Sequence, residues 1–127
     1  MIVLAVATMA LVSLPGCGYF LWLQAEYAAM DARAVAACAQ QRAGGSPAAT
    51  AANAAAAGAN QHAAEALQTD NLDTAFVAAM NAGEDADEVF REAEKVGCNP
   101  TAILAQKRLD GSYDQDIFGS QRRGPHT

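Results

Sequence analysis

Between Cys38 and Leu67 the chain has no Val, Ile, Leu, Met, Phe, Trp, Tyr or Cys. From Ala48 to Gln68 it is mostly alanine, interrupted by Asn53, Asn60, Gln61 and His62. Alanine has the highest helix propensity, so the segment can be helical. It offers almost no side-chain face to bury, so packing adds little to that propensity. Two forms fit, a close-packed small-residue helix and a mobile spacer. Propensity favours the helix, with fraying expected at Gly58.

The same shortage governs the rest of the chain. Of its 127 residues, 32 are Ala, and the 52% hydrophobic content therefore overstates the material for a core. Fifteen of the larger apolar residues lie in the first 23 positions, and only nineteen serve the remaining 104. One domain at most follows, near the size limit for independent stability. Enzyme pockets need walls of large apolar and aromatic side chains, so the composition points away from an enzyme. The formal charge of −6 falls wholly after Cys17. An acidic surface repels phosphate backbones and anionic lipids. That argues against nucleic-acid binding, and Arg122 and Arg123 are too few to reverse it.

Residues 2–14 are uncharged and mostly apolar, and Leu14-Pro15-Gly16-Cys17 follows. A short apolar run closed by small residues and a cysteine has the form of a bacterial lipoprotein signal. Residues 1–17 are then a signal, and Cys17 becomes the lipidated first residue of the mature chain. The first charged side chain is Glu26, whereas a secretory signal normally opens with Lys or Arg. A second reading therefore stands beside the first. Residues 2–23 are long enough for an uncleaved transmembrane helix, with Tyr19, Phe20, Trp22 and Tyr27 as an interfacial aromatic belt. In both readings the chain is anchored to a membrane of the cell envelope. Its C-terminal part is exported to the periplasm or cell surface, because no Lys/Arg cluster follows the apolar run.

An all-α fold is expected. Residues 19–42 read as one long helix, with Tyr27, Met30, Ala34 and Cys38 at helical spacing. Ala43-Gly44-Gly45-Ser46-Pro47 breaks it. Residues 18–68 thus comprise a membrane-proximal helix and the Ala-rich helix. Residues 69–111 read as a cluster of three short helices. Asp70 caps the first, which presents Leu72, Phe76 and Met80 and ends at Gly83. Asp85 caps the second, with Val89, Phe90, Ala93 and Val96 on its face and Asp87–Arg91 as an i,i+4 pair. Gly97 occupies the position after its end. Asn99-Pro100 opens the third, which carries Ile103, Leu104 and Leu109 and closes at Gly111. Residues 112–127 read as a loose tail, with Ile117-Phe118 as a docking pair.

If Cys17 is acylated, Cys38 and Cys98 remain. An exported pair in an oxidising compartment is expected to join. Closing a loop of about 60 residues contributes roughly 4 kcal/mol in the chain-entropy view. Two buried free thiols, or pairing with another subunit, are the alternatives.

Little else suggests chemistry. Asp110-Gly111-Ser112-Tyr113-Asp114-Gln115-Asp116 alternates oxygen side chains as calcium loops do. The EF-hand glycine and glutamate positions hold Gln115 and Gln121 instead, so a polar turn is the better reading. The carboxylates from Glu84 to Glu94 suit a solvated helix face. His62 and His126 have no neighbouring ligand at metal spacing, and His62 reads as solvated. No catalytic residue, metal site or cofactor is expected.

One stretch carries a family resemblance. Glu26-Tyr27, Asp31-Ala32-Arg33-Ala34-Val35-Ala36-Ala37-Cys38, a glycine-containing break and Ala52-Asn53-Ala54 follow the lipobox. Over residues 14–57 this resembles the conjugal entry-exclusion lipoproteins. The resemblance implies a short helix ending in a Cys, a loop, and a second Cys shortly before an Asn-Ala pair. This chain has Ala51 where the family has its second Cys, so Cys98 has to substitute. The implied role is contact blockade of a mating apparatus from the recipient envelope, which needs no active site.

The resulting expectation is a non-enzymatic, membrane-tethered envelope lipoprotein that binds another envelope or membrane protein, with entry exclusion as one named version. Its interface is expected at Tyr19, Phe20, Trp22 and Tyr27 and at Ile117 and Phe118. The alternative is a small structural subunit of a larger membrane complex, held by the uncleaved helix.

Overall fold

The computed structural model describes residues 17–114. Residues 1–16, which hold most of the expected signal (1–17) and of the expected span (2–23), and Ile117 and Phe118 lie outside them. All secondary structure among the described residues is helical: α1 (Cys17–Ala43), α2 (Pro47–Gln68), α3 (Leu72–Lys95), α4 (Pro100–Leu109) and a single turn, Ser112–Asp114. Three long helices joined by short turns form an up-down-up bundle, and α4 returns beside α1.

The Ala-rich segment is a continuous helix with no break at Gly58. Ser46 caps it, its side chain accepting the Ala49 N–H at 3.1 Å, and Pro47 opens its first turn. Its buried face is alanine throughout: Ala49, Ala52, Ala55, Ala56, Ala59, Ala63 and Ala66. The neighbouring helices answer in kind, through Ala25, Ala29, Ala32, Ala36 and Ala39 on α1 and Ala75, Ala78, Ala82, Ala86 and Ala93 on α3. Spacings of three and four keep each row on one side of its helix. With a methyl group at each contact, the backbones approach closely, and dispersion between many atoms replaces the burial of a few large groups. Val35 and Val89 are the largest fully buried side chains.

The alanine rows override two expectations. The cluster of three short helices is instead one long helix, α3, followed by the short α4. Gly83 does not end α3, and Asp85 does not cap a new helix. A helical glycine costs about 1 kcal/mol relative to alanine, and Ala82 and Ala86 on either side are buried in the seam. The start of α3 is also capped one residue later than expected, by Asn71, whose side chain accepts the Thr74 N–H at 3.0 Å. Second, Leu72, Phe76 and Met80 do not face the core. They are exposed, while Ala75, Ala78 and Ala82 are buried. A closely spaced alanine seam has no room for larger side chains, so they turn outward.

The distal end follows the sequence more closely. Val89 and Ala93 are buried, with Phe90 and Val96 packed against them. Gly97 adopts φ +88° after the end of α3, and Asn99 caps α4 by accepting the Ala102 N–H at 3.1 Å. A Cys38–Cys98 disulfide, with Cα atoms 6.2 Å apart, ties α1 to the turn before α4. Ile103 and Leu104 pack on the core, but Leu109 is exposed rather than part of a buried face. The ion pair on α3 joins Lys95 to Glu92 at 2.8 Å, in place of the expected Asp87–Arg91 pair. The beginning of the expected loose tail is anchored: Tyr113 is buried against Met30.

Candidate functional site

Polar contacts fix how the helices are aligned. Arg33 donates to Asn60, and Asn53 donates to Gln40, between α1 and α2. Leu21 packs on Ala75 between α1 and α3. The start of α1, the end of α2 and the start of α3 therefore share one end of the bundle, here the proximal end. The disulfide lies toward the other.

Exposed large apolar side chains gather at the proximal end. Tyr19 and Phe20 project from α1, and Leu67 from the last turn of α2. On α3, Leu72, Phe76 and Met80 recur every four residues with Val77 beside them, and Phe76, Val77 and Met80 are each more than half exposed (54%, 53% and 52%). Solvated apolar surface costs about 25 cal/mol per Å², and a row of exposed apolar side chains like the one on α3 marks a site of interaction. Of the aromatic residues expected at an interface, Tyr19 and Phe20 are exposed, and Tyr19 stacks obliquely on Trp22 with ring centroids 5.3 Å apart. Trp22 packs against the alanine core and Tyr27 against the Met30–Tyr113 cluster, so these two serve the fold as well. Sequence reasoning missed Leu67, Leu72, Phe76, Val77 and Met80 as surface. The signal lies outside α3: alanine offers a competing face there, and only the lack of large side chains on α2 selects it.

Among the described residues, the three long helices carry no cation at the proximal end: α1 has no Lys or Arg before Arg33, α2 has none, and α3 has none before Arg91. Glu65, Asp70 and Asp73 stand exposed there. Glu26 is partnered by Arg33 at 3.5 Å.

A second feature is an open cleft of about 400 Å³ between α1 and α4, lined by Tyr27, Asp31, Lys107, Arg108, Gly111 and Tyr113. Burial raises the Asp31 carboxyl above the usual carboxylate range, opposed by the Tyr113 hydroxyl and the Arg108 charge. Burial, and then the neighbouring Asp31, push the Tyr113 hydroxyl well above its ordinary value. The two groups influence one another at close range, yet neither Asp31 Oδ1 nor Tyr113 Oη has a partner of ordinary hydrogen-bond geometry. The Tyr27 and Tyr113 rings lie 6.0 Å apart, centroid to centroid.

His62 is not simply solvated. Its Nδ1 lies 2.8 Å from Asp85 Oδ2, linking α2 to α3. With Asp85 ionised, Nδ1–H is the donor. Gly58 creates the space: a Cβ there stands 2.9 Å from Asp85 Oδ2. Among the described residues no hydroxyl or thiol hydrogen-bonds His62, so the pair reads as a clip between helices. Glu84, Asp87, Glu88 and Glu94 are exposed. Among the described residues no three acidic, His or Cys side chains come together as a metal site. Asp110, from the alternating oxygen run, accepts a hydrogen bond from Gln106 at 3.0 Å, as a polar turn after a helix does. No described helix is long and apolar enough to cross a membrane. Comparison with protein-family models, curated proteins and solved structures gives no match.

Proposed function

We propose that this chain is a non-enzymatic, membrane-tethered envelope protein that acts by binding another protein. The observation that carries this reading is the position of the exposed apolar side chains. They collect where α1 begins, directly after the uncharged 2–16 run. A bundle tethered through Cys17, by lipid or by an uncleaved 2–23 helix, holds that end against the membrane. It leaves the disulfide-clamped end facing the periplasm or cell surface. Entry exclusion, in which contact with a mating apparatus is itself the activity, is one form of this function and needs no active site. The exposed stripe on α3 also favours a second reading, a small subunit whose uncovered face is completed by a larger membrane complex.

Intact mass separates the two forms of anchoring: an acylated Cys17 at the N-terminus against an intact Met1. With a lipid anchor, Cys17→Ala accumulates as an unprocessed precursor that takes up no labelled palmitate. Normal processing of that variant removes the lipoprotein reading. Replacing Tyr19 and Phe20 by Ala is expected to weaken partner recovery. Amide replacement of Asp87 and Glu88 is expected to leave it unchanged. The reverse pattern overturns the binding function.

A further inference from the structure

We infer that the apolar stripe of α3 receives a helix of an integral membrane protein whose apolar face is bordered by Lys or Arg. This rests on the membrane-tethered reading above and names the partner's chemistry. Leu72, Phe76 and Met80 form a row about 12 Å long at the helical rise of 1.5 Å per residue. Val77 widens the row. A row of side chains at i, i+4 and i+8 is the pattern by which one helix is read by another.

Charge selects among the occupants. Asp73 borders the stripe on α3 and Asp70 just precedes it, and neither α2 nor the first part of α3 offers a cation. A second copy laid alongside in parallel sets these carboxylates against their equivalents, which is unfavourable. An anionic bilayer surface is repelled for the same reason. A partner carrying Lys or Arg beside an apolar face gains on both counts. Position selects the membrane. Leu21 is level with Ala75, so the stripe begins close to the start of α1 and ends within about 20 Å of it, at 1.5 Å per residue. A transmembrane helix emerging beside the tether meets the stripe without any rearrangement of the bundle.

The test uses the full chain in phosphatidylcholine nanodiscs. The probe is a fluorophore-labelled synthetic helix with a Leu/Ala face and Lys at both ends, compared with the same peptide ended by Glu. Anisotropy is expected to show the Lys-ended peptide binding chain-loaded discs roughly tenfold more tightly than empty discs, and the Glu-ended peptide showing no such preference. The Phe76→Gln/Met80→Gln variant is expected to return binding to the empty-disc level. Asp70→Asn/Asp73→Asn is expected to weaken it and flatten its salt dependence. Both side chains of the first variant are exposed, and circular dichroism verifies that its helices are retained. Equal binding of the two peptides, or binding indifferent to Phe76 and Met80, overturns the proposal. So does self-association that depends on these residues, or their insertion into phosphatidylglycerol vesicles. Flotation with vesicles tests the tether separately. A chain that does not float overturns membrane attachment, while the same peptide comparison in detergent micelles still decides the stripe.

Discussion

The two ends of this bundle share an alanine seam but treat their large side chains in opposite ways. At the distal end, Val35 and Val89 are fully buried, Phe90 and Val96 pack against the core, and the Cys38–Cys98 disulfide closes the structure. At the proximal end the seam is almost purely alanine, and Phe76, Val77 and Met80 point outward. Size and hydrophobicity alone therefore do not decide which residues form the core. What decides it is whether the facing helices leave room. Where three helices present alanine to one another, the large side chains become surface, and the fold's stability and its capacity to bind reside on different faces of the same helix.

The disulfide tests the comparison most severely. Replacing Cys38 and Cys98 by Ser removes a cross-link spanning 60 residues. In the chain-entropy view that costs on the order of 4 kcal/mol. We expect a large fall in melting temperature, with amide exchange accelerating first around α4 and the end of α3. A variant that melts as the parent does would show that the seam alone sustains the bundle.

The next contrast sets seam against stripe. Ala59→Leu places a large side chain where alanine is fully buried, and overpacking of this kind costs about 1–3 kcal/mol. Phe76→Ala removes a much larger side chain from the surface, where changes usually stay within about 0.5 kcal/mol. Denaturant midpoints should rank the smaller residue as the more sensitive site. If Phe76→Ala costs more than Ala59→Leu, the assignment of faces on α3 is reversed.

Two helical glycines sharpen the picture further. No atom stands within 4 Å of a Cβ at Gly83, so Gly83→Ala should stabilise by roughly 1 kcal/mol through propensity alone. Gly58→Ala gains the same propensity but meets the Asp85 carboxylate. Loss of the His62–Asp85 contact should offset that gain, and Asp85→Ala in the same chain should recover it. Identical effects of the two single substitutions would mean that Gly58 makes no room for the clip.

Much of this was legible in the residues. Ser46-Pro47, Asn99-Pro100 and Gly97 mark helix ends by local chemistry, and each acts where the sequence places it. The Cys38–Cys98 pairing was the expected outcome once Cys17 is set aside, with free thiols and pairing between subunits as the alternatives. What misled was the habit of assigning the largest apolar residues to the core. On α3 the sequence holds two competing stripes, Leu72-Phe76-Met80 and Ala75-Ala78-Ala82, and nothing local says which faces inward. The answer lies in α2, whose long run without large side chains permits only close approach. Gly83 misled for the same reason: a local stop signal was weighed without the tertiary seam that carries the helix through it. The cleft at Asp31 was out of reach, because it depends on α4 returning to place Tyr113 beside α1.

That cleft yields the smallest expected effect, and its sign follows from burial. The folded chain holds the Asp31 carboxyl above its unfolded value of 3.8, chiefly because burial disfavours the charge. Between 3.8 and the raised value the folded state binds more protons than the unfolded state, so this group's contribution to stability declines as pH rises. Asp31→Asn should therefore be more stable than the parent near neutral pH, and the difference should shrink as pH falls toward 3.8. Tyr113→Phe separates the two influences on the carboxyl. It retains the buried ring but removes the hydroxyl that favours the carboxylate, so Asp31 should titrate at still higher pH in that variant. Carboxyl carbon chemical shifts followed through an acid titration report both values. A Tyr113→Phe titration that moves downward would mean that the hydroxyl destabilises the carboxylate, and that the pair at the mouth of the cleft is held apart by the fold.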